Sequence, residues 1–195
     1  MIPAPTIPAP TIPAPTIPAP MIPAPMSSTP LTPAPLTPTP LTPAAFAPFG
    51  EVLGFEGQPS FAFNAGMAVR WHARALPSAA EGRVAISLAR AEPRTLPMIL
   101  ALVERHPLGS QAFMPLSPAP FLVVVAPDRD GVPGAPLAFL TDGRQGVNYR
   151  AGTWHGLLAP LAGTQEFLIV DRDGAGTNLE EHHYATPYTI LAPSA

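Results

Sequence analysis

The sequence predicts an all-β sandwich or barrel behind a proline-rich tail, and three observations carry that reading. Short apolar segments recur at close intervals from about residue 61 onward, separated by clusters of Gly, Pro, Asn and Asp. One of them, FLVVVA at 121–126, is rich in β-branched residues and is followed by the turn PDRDG. Few stretches carry the 3.6-residue periodicity of an amphipathic helix, so few and short helices are expected.

The tail comes first along the chain. Of the 31 prolines in 195 residues, 16 fall within the first 43, and no charged residue or histidine precedes Glu51. Residues 1–25 are five copies of one pentapeptide (MIPAP, TIPAP, TIPAP, TIPAP, MIPAP), and a looser repeat continues from Leu31 as LTPAP, LTPTP, LTPAA. Proline at every second or third position removes backbone donors and pushes each preceding residue toward extended conformations. Residues 1–43 are therefore expected to be a disordered, polyproline II-like tail. The same prolines exclude a membrane-spanning helix, and the stretch lacks the basic region of a signal peptide. Two further readings are a ligand for a proline-binding domain, and translation starting at Met26, which would leave the repeats unexpressed.

Residues 44–195 form the second unit, the size of one domain with one core. Residues 44–53 enter it as a short helical turn or loop. Strands are expected over 61–69, 83–89, 121–126, 137–141, 145–149, 156–161 and 167–171. The segment 96–104 (LPMILALVE) fits helix or strand. As a strand it would put Glu104 and His106, two residues apart, on one face.

Composition excludes several functions. Ten Arg and no Lys against thirteen acids give a formal net charge of −3, which leaves no electrostatic footprint for a nucleic-acid backbone. The lack of Lys beside abundant Ala, Pro and Gly reads as GC-rich coding. With no Cys there is no disulfide, thiol catalysis or Cys-ligated zinc. Any metal must be held by His, carboxylate or amide oxygen.

Two stretches carry that chemistry. ERHPLGSQ reads E-x-H-x4-Q through Glu104, His106 and Gln111, and RAGTWH reads R-x-G-x-x-H through Arg150, Gly152 and His155. The layout is similar to that of cupins, small β-barrels whose usual motifs are H-x-H-x(3,4)-E and G-x5-P-x-G-x2-H, with Glu here in place of the first His and Gln in place of the Glu. The longer wording is more specific. RAEPRTLPMILALVERHPLGSQAFMPL, FLVVVA, GRQGVNYRAGTWH and FLIVDRDG closely resemble the ureidoglycolate lyase (ureidoglycolate hydrolase) family of the cupin superfamily, from about Leu41 to Asp173. The run Asn64-x-Gly66-x3-Arg70-x-His72 resembles the N-terminal third of that family.

The resemblance implies a single jelly-roll-like cupin barrel with few short helices. It implies a homodimeric enzyme of allantoin breakdown that cleaves (S)-ureidoglycolate to glyoxylate and urea with a divalent metal, Ni2+; with no convincing targeting signal, a cytoplasmic location is expected. It points to Glu104, His106, Gln111 and His155 as metal ligands. Elimination from this carbinolamide needs a grip on the carboxylate, a base for the hydroxyl and a proton for the leaving nitrogen. A bidentate Arg suits a carboxylate, which makes Arg70 and Arg90 candidates, with Asn64 and Gln111 as further substrate contacts. His72 and His106 are the candidate bases, with Arg70 beside them.

Each residue also has a plainer role. Glu104 and Arg105 could form a surface pair. His106 and His155 could be hydrogen-bonded structural histidines. Asn64 could cap a turn, and Tyr149 and Trp154 could be core or barrel-rim aromatics. The polar run Glu180 to His183 reads as a solvated edge. Two other functions compete: another metal-dependent cupin enzyme, such as a sugar isomerase or oxygenase, and a non-catalytic cupin that binds a small molecule. Neither a nucleic acid nor a membrane is expected as a partner.

Overall fold

Alternating apolar residues build two facing sheets in the computed structural model, which describes residues 33–193. One sheet has seven strands. Its hydrogen-bonded order is Thr39–Pro40, Leu137–Leu140, Phe121–Ala126, Trp154–His155, Met98–Arg105 and Glu180–Ile190, with Ala159–Pro160 also pairing to Phe121–Ala126. The other has five, in the order Gly50–Leu53, Gly146–Tyr149, Gln111–Pro115, Gln165–Asp173 and Arg83–Ala91. A four-residue helix, Pro43–Phe46, leads into the first strand of the five. Thr42 caps it by accepting the Ala45 N–H at 3.2 Å, and Pro43 occupies the first turn, where its missing donor costs nothing.

The core follows from strand alternation. Val52, Val147, Tyr149 and Phe167 of the five-stranded sheet meet Phe121, Val123, Val125 and Phe139 of the other, with Leu41, Phe46 and Phe49 joining them. The intervening residues Leu122, Val124 and Ala126 point the opposite way, into a second cluster with Leu100, Val103, Trp154 and Ile190. Phe121–Ala126 is thus buried on both faces, which is why its sequence is unbroken apolar rather than alternating. The all-β expectation holds, and the barrel takes the form of a two-sheet sandwich. Among the described residues, no helix is long and apolar enough to cross a membrane.

Several boundaries differ from the sequence reading. Residues 36–43, placed there in the tail, run along the sandwich. Leu36 exchanges backbone hydrogen bonds with Thr189 and Leu191, Thr39–Pro40 pairs in parallel with Leu137–Leu140, and Leu41 is buried. A proline tolerates this position because an edge strand needs few donors. The rest of the tail, residues 1–32, lies outside the described residues. The segment 96–104 resolves as strand. The single strand expected over 61–69 is a hairpin of Phe61–Phe63 and Ala68–Arg70, turned by Asn64 and Ala65 at positive φ and by Gly66. Of the strand expected over 156–161 only Ala159–Pro160 is strand, and a separate two-residue strand, Trp154–His155, precedes it. The polar C-terminal run is a sheet edge, but it belongs to an eleven-residue strand, Glu180–Ile190, paired along Met98–Arg105.

Because Leu41 is packed between sheet and helix, Leu41→Ala should lower unfolding stability by about 2–4 kcal/mol in urea denaturation. A change below about 0.5 kcal/mol would return residues 36–43 to the tail.

Candidate metal centre

The centre depends on side chains from both sheets that face the interior. Along Met98–Arg105 and the residue after it, Glu104 and His106 share one face while Arg105 points to the other. Trp154–His155 lies between Met98–Arg105 and Phe121–Ala126, with His155 directly opposite Glu104 and opposite Val125. One ligand atom from each of Glu104, His106 and His155 lies within 4.8 Å of the others. His106 Nε2 stands 3.9 Å from Glu104 Oε1, and the two imidazole centroids are 5.4 Å apart.

A turn at residues 150–153 brings His155 there by carrying the chain from the five-stranded sheet to the seven-stranded one. Gly152 has φ of 78°, a conformation that disfavours any side chain, and its N–H donates to the His106 carbonyl at 2.9 Å. Arg150 anchors the same turn, donating to Glu51 Oε1 at 3.0 and 2.8 Å and to the Ala47 carbonyl at 2.7 Å. Just before the turn, the Tyr149 ring stacks on His155, with centroids 4.3 Å apart and planes 7° from parallel.

Hydrogen bonds set the tautomer of both histidines. His106 Nδ1 lies 2.6 Å from the Asn178 carbonyl, and His155 Nδ1 lies 3.2 Å from the Gly156 carbonyl. A carbonyl only accepts, so each Nδ1 carries a proton, and in the neutral ring that leaves Nε2 as the atom with a free lone pair. Asn178 is itself held, its Oδ1 accepting the Leu108 N–H at 2.8 Å. Its loop is tied down by Arg172, whose guanidinium donates to the carbonyls of Ala80 at 2.7 Å and Ala175 at 2.6 Å.

Burial controls the electrostatics. It pushes the His155 pKa down to about 3, against the Gly156 hydrogen bond and with help from His106, so this imidazole is neutral near pH 7. The Glu104 carboxyl is raised, first by burial and further by Glu181, with His106 opposing. The Tyr149 hydroxyl is raised by burial and then by Glu104.

These residues fit a divalent cation. His106 Nε2, His155 Nε2 and Gln111 Oε1 are buried with no hydrogen-bond partner. Left so, each costs about 1–3 kcal/mol. Gln111 lies opposite Tyr149 in the ladder and, by alternation, shares the inner face with Phe113. Two imidazoles and one carboxylate form a donor set suited to a first-row metal.

The other residues singled out by sequence lie elsewhere. Arg70 and His72 line a cleft of about 610 Å³ with Ala112, Met114, Asn148 and Val170. Those neighbours alternate with Gln111, Phe113 and Tyr149, so the five-stranded sheet separates Arg70 and His72 from the cluster within one chain. The Arg70 guanidinium sits 6.0 Å from the Phe61 ring centroid. Asn64 occupies the exposed hairpin turn, as its plainer reading had it. Arg90 is exposed on the outer strand and bound to Glu166 at 2.7 Å, so its guanidinium is already committed. Arg105 does not pair with Glu104, because neighbouring strand residues face apart; it pairs with Asp128 and Glu180. Tyr149 and Trp154 are buried as expected, but Tyr149 also forms one wall of the site. Sequence reasoning missed this and the role of Asn178, since stacking and a backbone carbonyl leave no local motif.

Comparison with known proteins shows similarity over most of the chain. The family model described as ureidoglycolate lyase matches residues 33–191. The chain is 52% identical over 147 residues to ureidoglycolate lyase 2 of Rhizobium meliloti (strain 1021), covering 74% of this chain and 90% of that protein. It is 53% identical over 151 residues to ureidoglycolate lyase of Chelativorans sp. (strain BNC1), covering 76% and 92%. Among solved structures, a dTDP sugar isomerase from Desulfovibrio desulfuricans G20 is similar with a TM-score of 0.41 and 17% identity, covering 71% of this chain and 87% of that one.

His155→Ala should leave a folded protein by circular dichroism. Its Ni2+ affinity in titration calorimetry should fall at least about a hundredfold, the upper end of what outer partners alone contribute. Unchanged affinity would remove His155 from the centre.

Proposed function

The chain belongs to the ureidoglycolate lyase family, and on that premise we propose that it cleaves (S)-ureidoglycolate to glyoxylate and urea at the Glu104–His106–Gln111–His155 cluster. The observation that carries this reading is the convergence of two imidazole Nε2 atoms without hydrogen-bond partners on a half-buried carboxylate, with the Gln111 amide oxygen likewise unpartnered on the five-stranded sheet.

When bound by these four side chains, a divalent cation, nickel by family resemblance, would polarise the hydroxyl and carboxylate oxygens of the substrate and make the hydroxyl more acidic. The protein supplies the rest. Glu104, with its basicity raised by burial, accepts the hydroxyl proton as the carbonyl of glyoxylate forms and the C–N bond breaks. The same carboxyl returns that proton to the departing nitrogen, which leaves as urea. His106, held in one tautomer by Asn178, and His155, held by Gly156 and Tyr149, keep fixed orientations through the cycle. Burial of the cluster against the core excludes water that would compete for the substrate oxygens. Within one chain, Arg70 and His72 lie on the far side of the sheet from Glu104.

The homodimer is also part of the proposal. Phe55, Phe61, Phe63, Met67 and Val69 are exposed on the hairpin segment, and Ile86 and Leu88 on the outer strand. So many apolar side chains on one side of a monomer favour an isologous contact with a second copy. Light scattering should give twice the 20.3 kDa chain mass, and a monomer mass at micromolar concentration would refute the dimer.

The activity test is release of glyoxylate and urea from (S)-ureidoglycolate, measured against the spontaneous rate. Chelated protein should fall to that rate, and Ni2+ should restore turnover better than Zn2+ or Mn2+. Turnover that survives complete chelation would keep the lyase and overturn the metal's role. No turnover with any metal would overturn the lyase itself.

A further inference from the structure

On the opposite face of the seven-stranded sheet, the neighbours of the proposed ligands form a cluster of their own. Arg105 follows Glu104 and precedes His106, and Trp154 precedes His155, so alternation turns both residues outward. The Arg105 guanidinium lies over the Trp154 ring, 4.4 Å from its centroid. It donates to Asp128 Oδ1 at 2.9 Å and to Glu180 Oε2 at 2.7 Å. Trp154 Nε1–H donates to the same Asp128 Oδ1 at 2.8 Å, and Asp128 Oδ2 accepts the Gly131 N–H at 3.1 Å.

This arrangement joins four places in the fold. Arg105 ends one strand, Glu180 begins the next strand of the sheet, Asp128 follows Phe121–Ala126, and Trp154 opens the strand that carries His155. That last strand is two residues long and pairs at His155 with Glu104. So short a ladder has few backbone bonds to hold its register. The planar, bidentate and stacked guanidinium adds a fixed connection one residue away from each ligand.

We propose that Arg105, with Asp128 and Trp154, is a positioning residue for the metal centre: from outside the sheet it fixes His155 relative to Glu104 and His106, and so sets metal affinity. This rests on the reading of the cluster as a metal centre.

The test uses Arg105→Lys, Trp154→Phe and Asp128→Asn in the full chain. Ni2+ affinity is measured by calorimetry and ligand field by the visible bands of the Co2+-loaded protein, both well below the melting temperature. Arg105→Lys keeps the charge but loses the fork, and Trp154→Phe keeps a ring but loses the donor. Each should weaken Ni2+ binding about tenfold or more and shift the Co2+ bands. Asp128→Asn retains an acceptor for Trp154 and should show a smaller change of the same sign; it serves alone if the other two do not fold. Lower melting temperatures with wild-type affinity and spectra would overturn the positioning role and leave a purely structural cluster. If the wild-type protein bound neither ion, the metal centre itself would fail, and the positioning role with it.

Discussion

The register of Trp154–His155 against Met98–Arg105 governs nearly everything described above. A strand sends successive side chains to opposite faces, so one pairing decides two environments at once. With His155 opposite Glu104, the inner face collects Glu104, His106 and His155, and the outer face collects Arg105 and Trp154. A slip of one residue would exchange them, burying a guanidinium and an indole among the core aromatics and exposing the ligands. Neither face tolerates the other's occupants, so the hydrophobic core and the polar site enforce the same register. The turn at 150–153 belongs to this constraint as well, because it delivers the chain to its slot with a hydrogen bond from Gly152 to the carbonyl of His106, two residues beyond Glu104.

The inner face carries an electrostatic cost. Burial opposes the charge on Glu104 and keeps His155 neutral, while three buried polar atoms lack any protein donor. Such a gathering is unfavourable unless something positive completes it. The outer-face groups have their partners within the protein, and the two carboxylates of Asp128 and Glu180 are open to water. The sheet thus divides a self-sufficient polar cluster from an incomplete one.

Much of this was legible in the sequence where the information was local. The all-β architecture came from segment spacing, and the shared face of Glu104 and His106 from their separation by two. His155 was found through its motif after a glycine turn. What was not legible has a common cause. Arg70 and His72 do share a face, but periodicity cannot say which side of a sheet a hairpin will cover. Arg90 was chosen for its chemistry, and only the fold shows Glu166 opposite it in register. Asn178 acts through its backbone carbonyl, which every residue possesses, so no side-chain pattern could mark it. Leu36 to Leu41 were hidden by proline density: the segment resembles the repeats before it, yet a few apolar side chains at the right spacing were enough to seat it along the sheets.

Asn178 also connects the site to the way the molecule assembles. Its loop follows Gln165–Asp173, is fastened by Arg172, and meets His106 across a separation of 72 residues. His155 likewise reaches Glu104 from a distant part of the chain. Folding must therefore close long loops before either histidine acquires its tautomer or its position, and topologies dominated by such distant pairings fold slowly. No partly folded segment contains the binding site. A cation captured there would act on the completed sandwich alone, so the free energy of its binding would add to the stability of the whole native state, and supply of the ion would then help set how long the folded protein persists.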